Sequence, residues 1–243
     1  MRPFLPPSDG TRPMRLRHRA RNASPGFSIV EMSVVLVIIA LIVGAASVGR
    51  DLYRSAQAER LSNDFVQAWL LAYDRFVAGT GGVPGDNFDN PTGLVNAGTN
   101  NFMCDINLQN ALLGAGIALP SGRGEGFANR YVYQDAKGIP QELRVCVGAV
   151  QWSEPSGSVG AYAARPRNVM RFEGLTPSMA TLIDAKIDGR VDARHGRFRE
   201  ATVQDDLTPA GVPWSLQDDD NLMGGTNPDA QVAVVVGYLR MTQ

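Results

Sequence analysis

Histidine and cysteine are scarce in this 243-residue chain, and their scarcity limits its chemistry. The histidines are His18 and His195, and the cysteines are Cys104 and Cys146. Their spacing does not match that of a zinc site. The sequence has no glycine-rich phosphate loop, and no serine or cysteine nucleophile motif accompanies His195, which lies in the basic stretch 190–199. We therefore expect a protein that is not an enzyme.

An excess of one charge sign is also missing, because 23 basic residues nearly balance 24 acidic ones. The distribution is uneven, however. Residues 1–26 contain six arginines and one aspartate, which gives a charge of +5. Since the net charge of the whole chain is −1, residues 27–243 have a net charge of −6. The acidic remainder predicts no broad nucleic-acid-binding surface. The composition, 44% apolar and 19% charged, is typical of a globular protein.

The longest apolar run of the sequence lies near its start. No side chain from residue 32 to residue 49 is charged, and Ser33 and Ser47 are the only polar ones. The run reaches the lower limit for a transmembrane helix, and the apolar residues just before it lengthen the span. The basic flank upstream predicts a cytoplasmic amino terminus and an exported remainder.

One carboxylate, Glu31, stands at the beginning of this run. An ionised carboxylate at the bilayer centre would cost about 2.5–3.5 kcal/mol, although a residue near the helix end reaches the interface at lower cost. The plainest interpretation is an interfacial residue on an ordinary membrane anchor. The surrounding residues favour a second interpretation.

The basic leader, Gly26, Phe27, Glu31 and the β-branched apolar run together resemble the cleavage and methylation site of type IV prepilins and type II secretion pseudopilins. This resemblance implies that a prepilin peptidase cuts after Gly26 and N-methylates the new terminus at Phe27. It also implies that Glu31 neutralises the terminal amine of a neighbouring subunit in the filament. Paired opposite charges in a helical bundle compensate each other, whereas either alone is destabilising. Val48 and Gly49 depart from the family pattern, because many members have a proline there.

The resemblance implies a structural subunit of a type IV pilus-like filament. Its expected partners are itself and other pilins, the prepilin peptidase, the inner-membrane assembly platform and, before assembly, membrane lipid. It is expected as a single-pass protein of the bacterial inner membrane with its head in the periplasm, and then in an extracellular or periplasmic filament. A type II secretion pseudopilin is an alternative. Three questions stay open. They are whether the chain starts at Met1 or Met14, whether it is a major or a minor subunit, and whether the filament serves adhesion, motility, DNA uptake or secretion.

A soluble exported binding protein is the alternative from another class. The small residues 44–47 would suit signal peptidase cleavage near Ala46. Two features oppose it: Glu31 interrupts the start of the apolar region, and the sequence beyond Ser47 continues with a helical pattern.

The predicted organisation is a cleaved leader at 1–26, a long helix at 27–78 and a globular head at 79–243. Within the helix, residues 27–49 form the transmembrane part and residues 50–78 an amphipathic part. The amphipathic part lacks proline and glycine as far as residue 77, and its apolar residues recur at spacings of three and four. We expect an α+β, type IV pilin-like fold in which this helix packs on an antiparallel sheet.

The head pattern predicts several further elements. In chain order these are a loop at 79–101, a short apolar helix or strand at 111–119, strands at 130–134 and 142–147 around a turn, a loop at 153–166, a helix that starts at Thr176-Pro177 and ends at Asp188-Gly189, and a final strand at 231–241. Both cysteines lie in the exported part, so we expect a disulfide between Cys104 and Cys146, with two unpaired buried thiols as the alternative.

No cofactor is expected, although calcium is considered at two oxygen-rich places. The segment 86–90 matches no complete calcium loop, so its side chains are predicted to form turns. A loop that starts at Asp184 would place Lys186 and His195 at ligand positions, which excludes it. The run 218–221 keeps a calcium site open, because related secretion pseudopilins bind calcium in a carboxyl-terminal loop. Its plainer interpretation is a solvated acidic run.

Overall fold

The computed structural model describes residue 26 and residues 28–122, 124, 126–222 and 230–242. The chain divides into two compact units, residues 1–49 and 50–243. Most of the predicted leader and Phe27 therefore lie outside the described residues. The second half of the predicted long helix belongs to the same unit as the head.

Helix α1, Ile29–Arg60, contains the apolar run. Its part Ile29–Gly49 has 21 residues and a mean hydropathy of 2.7, so it is long enough and apolar enough to cross a membrane. All of this part is exposed. An α-helix satisfies its backbone hydrogen bonds internally, and for that reason this part needs no partner strand in a lipid environment.

The helix continues beyond α1 through a π-helical turn, Leu61–Val66, into α2, Gln67–Thr80. Gly81 ends α2 in the left-handed region, at φ 74°, where glycine carries no steric penalty. The helical stretch thus ends two residues beyond the predicted position 78. Nothing in the apolar spacing predicted the π-helical turn.

The π-helical turn changes which side chains reach the core. Hydrogen bonds from i to i+5 widen the turn, so adjacent residues can share one face. Leu61, Ser62, Phe65 and Val66 are all buried here.

Six strands form one antiparallel sheet in the order β1, β3, β4, β6, β5, with β2 paired to β3. They are β1 Met103–Cys104, β2 Arg130–Gln134, β3 Pro140–Pro155, β4 Tyr162–Leu175, β5 Phe198–Glu200 and β6 Val235–Arg240. Two more helices lie in this unit, α3 Asp105–Gly114 and α4 Pro177–Asp188. The α+β fold is confirmed, and the helix followed by an antiparallel sheet is consistent with a pilin-like arrangement.

The two faces of the sheet differ. On the helix side, buried residues of β3 and β4 share one large core with the π-helical turn, α2 and α4; this core includes Val145, Val147, Met170 and Phe172 from the sheet. Alternate residues point to the other face. There a smaller cluster forms around Val150, Trp152, Val169 and Tyr238.

The loop predicted at 153–166 is wrong over most of its length. Strand β3 continues to Pro155 and β4 begins at Tyr162, which leaves a short connection. Pro166 is tolerated because the pairing of β4 with β6 begins only at Val169, so the missing N–H breaks no hydrogen bond on that side.

Other predicted elements need smaller corrections. The apolar segment predicted at 111–119 is helical only at its start, because helix α3 begins at Asp105 and ends at Gly114. The final strand is shorter than predicted, and Val232 forms only an isolated bridge with Asn221. The helix from Thr176 to Gly189 has the predicted ends.

Candidate functional site

The start of α1 is arranged by Ser28 and Glu31. The Ser28 backbone N–H donates to Glu31 Oε2 at 2.8 Å, and Ser28 Oγ accepts from the Val30 N–H at 3.3 Å. Serine at the N-cap with glutamate three residues later is a capping box, which satisfies amide groups that a helix start leaves without partners. Sequence analysis missed this role, although the pattern Ser-x-x-Glu was present to indicate it.

Gly26 is exposed, and an added Cβ there would have no atom within 4 Å. The predicted methylation position, Phe27, lies outside the described residues. The predicted assembly residue, Glu31, lies on an exposed helix, and among the described residues only the Ser28 amide is seen to donate to its carboxylate. No described lysine or arginine forms an ion pair with it.

The two hydroxyls of the apolar run bond within their own helix. Ser33 Oγ donates to the Val30 carbonyl and Ser47 Oγ to the Gly44 carbonyl, both at 2.8 Å. These bonds remove two donors that would otherwise be costly in hydrocarbon. Beyond Glu31, the exposed surface of this part of the helix is therefore largely apolar on every side.

Residues 21–47 match the family of the prokaryotic N-terminal methylation motif. This chain therefore carries a prepilin-type cleavage and methylation site, and the predicted resemblance is confirmed. No curated protein and no solved structure matches the chain. The methylation motif covers the leader end and the start of α1, and it fits, together with the apolar helix, a single-pass membrane-anchored protein.

The predicted disulfide is present in the head. Cys104 on β1 and Cys146 on β3 are directly opposite residues of the antiparallel pair, and they are bonded across 42 positions of sequence. Strand β1 has only two residues, so the bond holds this short edge strand, and the start of α3, against the centre of the sheet.

The oxygen-rich segment at 86–90 forms turns, as predicted. The Asp86 carboxylate accepts bonds from the Asn87, Thr92 and Gly93 amides and from the Thr92 hydroxyl, at 2.7–3.1 Å. Desolvation opposes the effect of these bonds, yet together they lower the pKa of Asp86. The carboxylate thus organises the loop backbone.

The acidic run at 218–221 also bonds to its own head. Asp218 Oδ1 accepts from the Ser178 amide at 3.0 Å, and Asp220 Oδ2 accepts from the Gln217 amide at 2.8 Å. The Asn221 side chain accepts from Lys137 Nζ. Asp219 is exposed. Within the described residues, no group of three or more metal-binding His, Cys, Asp or Glu side chains comes together.

Helix α4 contains a buried carboxylate, Asp184, which sequence analysis considered only as the start of a rejected calcium loop. Asp184 is fully buried, and its Oδ2 accepts from Trp214 Nε1 at 3.0 Å and from the Asp192 amide at 2.9 Å. Its Oδ1 has no partner in the described structure. Burial, with added repulsion from Asp188 and Asp192, raises the pKa of Asp184 to about 6 in spite of these two bonds.

The two neighbouring carboxylates hold the connection from α4 to β5. Asp188 accepts from the Arg197 and Phe198 amides at 2.8–3.0 Å. Asp192 Oδ1 accepts from the amides of residues 194, 195 and 212 at 3.0–3.3 Å. Asp188 and Asp192 thus order the loop that follows α4. The His195 ring lies against the Pro209 carbonyl, with Nε2 at 3.2 Å, and against Tyr162.

Proposed function

We propose that this protein is a structural subunit of a type IV pilus-like filament. In this proposal a prepilin peptidase cleaves the chain after Gly26 and methylates Phe27. The mature protein is then held in the bacterial inner membrane with its head in the periplasm, and an assembly platform transfers it into a filament through α1. The single observation that carries the proposal is the methylation motif at 21–47, which overlaps the apolar helical part Ile29–Gly49, a part with no buried residue.

The exposed apolar helix has a suitable cover both in the membrane and in the proposed filament. In the membrane, lipid covers Ile29–Gly49; in a filament, the same surface can pack against equivalent helices of other subunits. Apolar packing replaces lipid contacts without exposing the helix to water. The filament's task stays outside the proposal, and a type II secretion pseudopilin would share each of these steps.

The structure favours this proposal over release by signal peptidase. Ala46 lies within α1, which is helical as far as Arg60. Cleavage after a small residue in the interior of a helix would require local unwinding, because a protease binds its substrate in an extended form. A free soluble binding protein would also make no use of the methylation motif.

The mass of the mature amino terminus tests the proposal. Purified protein from the native host should begin at Phe27, carry one methyl group and retain the apolar helix. Gly26→Arg should leave uncut precursor in the membrane. The matched control is Gly44→Ala, which should be processed normally, because Gly44 lies within α1 and has open space around it. A mature chain that begins at Ser47, or one that keeps the leader, would refute the proposal.

A further inference from the structure

Among the described residues, six arginines of β2, β3, β4 and β6 lie on the sheet face that points away from the helix core. Register pairs place Arg130 opposite Arg144, Arg171 opposite Cys146, and Arg240 opposite Val169. Even spacing along β4 puts two more on the same side. We call Arg130, Arg144, Arg165, Arg167, Arg171 and Arg240 the arginine face.

The arginine face binds carboxylates within the chain. Glu173 lies between Arg144, whose Nε is 2.6 Å from it, and Arg171, whose Nη2 is 2.7 Å away. Glu154 lies between Arg167 and Arg240. Arg167 binds Glu154 in a bidentate manner, with Nε 2.8 Å from Oε1 and Nη2 2.6 Å from Oε2. Bidentate pairs are among the strongest contacts between a guanidinium and a carboxylate.

These carboxylates leave positive charge uncompensated. Five of the arginines pair with four acids, because Asp105, Glu154 and Glu173 are each shared between two arginines and Glu142 pairs with Arg130. Arg165 is exposed and forms no ion pair with any described residue. Below it, the buried Arg199 stacks on Trp152 at 4.1 Å and donates to carbonyl and hydroxyl oxygens instead of carboxylates.

The aromatic residues of this face are already in use. Arg171 lies over the Phe102 ring at 4.8 Å, and Phe102 in turn stacks on Tyr238 at 5.8 Å. Tyr238 and Trp152 are buried. Single-stranded nucleic acids are held largely by bases stacked on free aromatic rings. The arginine face therefore suits an acidic protein segment better than a nucleic acid.

The matching acidic segment is the run Asp218, Asp219 and Asp220. It is the only place in the sequence where three acids are consecutive. Asp218 is bonded to the start of α4, and α4 packs into the core on the opposite side of the sheet. The run and the arginine face thus belong to different surfaces of one head.

We propose that the acidic run of one copy docks on the arginine face of the next copy, with Asp219 near Arg165. Because the two surfaces differ, the contact is heterologous, and contacts of this type propagate into rings or filaments instead of closing a dimer. The inference rests on the proposed function, since a filament is what would bring copies together. The contact would orient each head relative to the next one, and it would make head packing depend on complementary charge.

Charge reversal in the full-length protein tests this contact. Two differently tagged copies, solubilised from membranes, would be purified through one tag and scored for the other at low and high salt. Arg165→Glu and Asp219→Arg should each reduce recovery of the second copy about tenfold at low salt. The double variant should recover most of it. Arg75→Glu, an exposed arginine of α2 that forms no ion pair with a described residue, serves as the control.

Several outcomes would overturn the inference. These are wild-type copies that do not copurify, a double variant that stays as weak as either single variant, an Asp219→Arg variant without effect, or a control that loses as much. A labelled single-stranded oligonucleotide that binds wild type but not Arg165→Glu, with copurification unchanged, would assign the face to nucleic acid instead. A wrong mature terminus refutes the filament proposal, whereas correct processing without charge dependence refutes this inference alone.

Discussion

The Ser28 amide donates to the Glu31 carboxylate at 2.8 Å, so the residue predicted to serve assembly also caps its own helix. The two roles demand different things of the side chain. Capping needs an acceptor oxygen, which glutamine also has, whereas neutralising a neighbour's amine needs a negative charge. Substitutions at one position can therefore separate them.

Glu31→Gln is predicted to keep the cap and to lose the assembly charge. We expect it to be exported and processed like wild type, yet to enter filaments poorly, because an amine buried among apolar helices then lacks its counter-charge. Glu31→Ala should enter filaments as poorly, and it should also lose the capping bond to the Ser28 amide. The measurement is the amount of each variant in purified filaments relative to membranes.

Ser28→Ala is the matched control for that comparison, because it removes the hydroxyl cap on Val30 and leaves the charge of Glu31 in place. It should assemble almost normally. If Glu31→Gln also assembles at the wild-type level while Glu31→Ala does not, Glu31 serves as a helix cap and the electrostatic docking role is wrong.

The disulfide is predicted to supply a large part of the stability of the head. Replacing both Cys104 and Cys146 by serine should cost roughly 3–4 kcal/mol in the chain-entropy model for a loop of this length. A urea titration of the double variant and of wild type, each with and without reductant, measures the loss. Wild type should respond to reductant and the variant should not. Two titratable thiols in unfolded, non-reduced wild type would contradict the pairing.

Asp184 is predicted to make stability fall as the pH rises from 4 to 7. Its folded pKa of about 6 lies above the usual value, so the folded state binds the proton more tightly. The contribution is fully present below about pH 4 and is lost as the pH rises through 6, on the order of 3 kcal/mol in all. Urea midpoints across this range should show the slope, and Asp184→Asn should flatten it.

Carboxylates whose pKa is lowered by folding do not obscure this test. Hydrogen bonds and ion pairs lower the pKa of Asp105, Asp192 and Glu154 against the opposing effect of desolvation. Their contribution is present above about pH 4 and disappears below it. A wild-type stability that is flat or rising between pH 4 and 7, and unchanged in Asp184→Asn, would show that Asp184 stays ionised in the folded head.

Gly174 is predicted to tolerate no side chain. It lies at the irregularity between β4 and β6 with φ 86°, and an added Cβ would come within 2.1 Å of the Glu142 carbonyl. Gly174→Ala should therefore be much more destabilising than Gly116→Ala, which has φ 73° but open space and should cost only the left-handed strain of about 1–2 kcal/mol. Thermal melting of the two variants compares them, and equal losses would exclude the clash.

The sequence by itself determined the features that depend on neighbouring residues along the chain. A charge-free run of membrane length, the motif at its start, the caps of α4 at Thr176 and Gly189 and the pairing of the only two cysteines all follow from local pattern or from elimination. Capping by Ser28 and Glu31 belongs to the same class, because Ser-x-x-Glu is itself a local pattern.

Only the tertiary structure decided the features that depend on residues distant in sequence. The π-helical turn at Leu61–Val66, whose Leu61, Phe65 and Val66 pack into the core, follows from no local pattern, and strand β4 occupies part of a segment whose glycines and proline suggested a loop. The arginine face could not be read from composition, since its members come from four strands of a chain that is acidic overall. Alternation along paired strands brings them to one side, and register is set by the packing of the whole sheet.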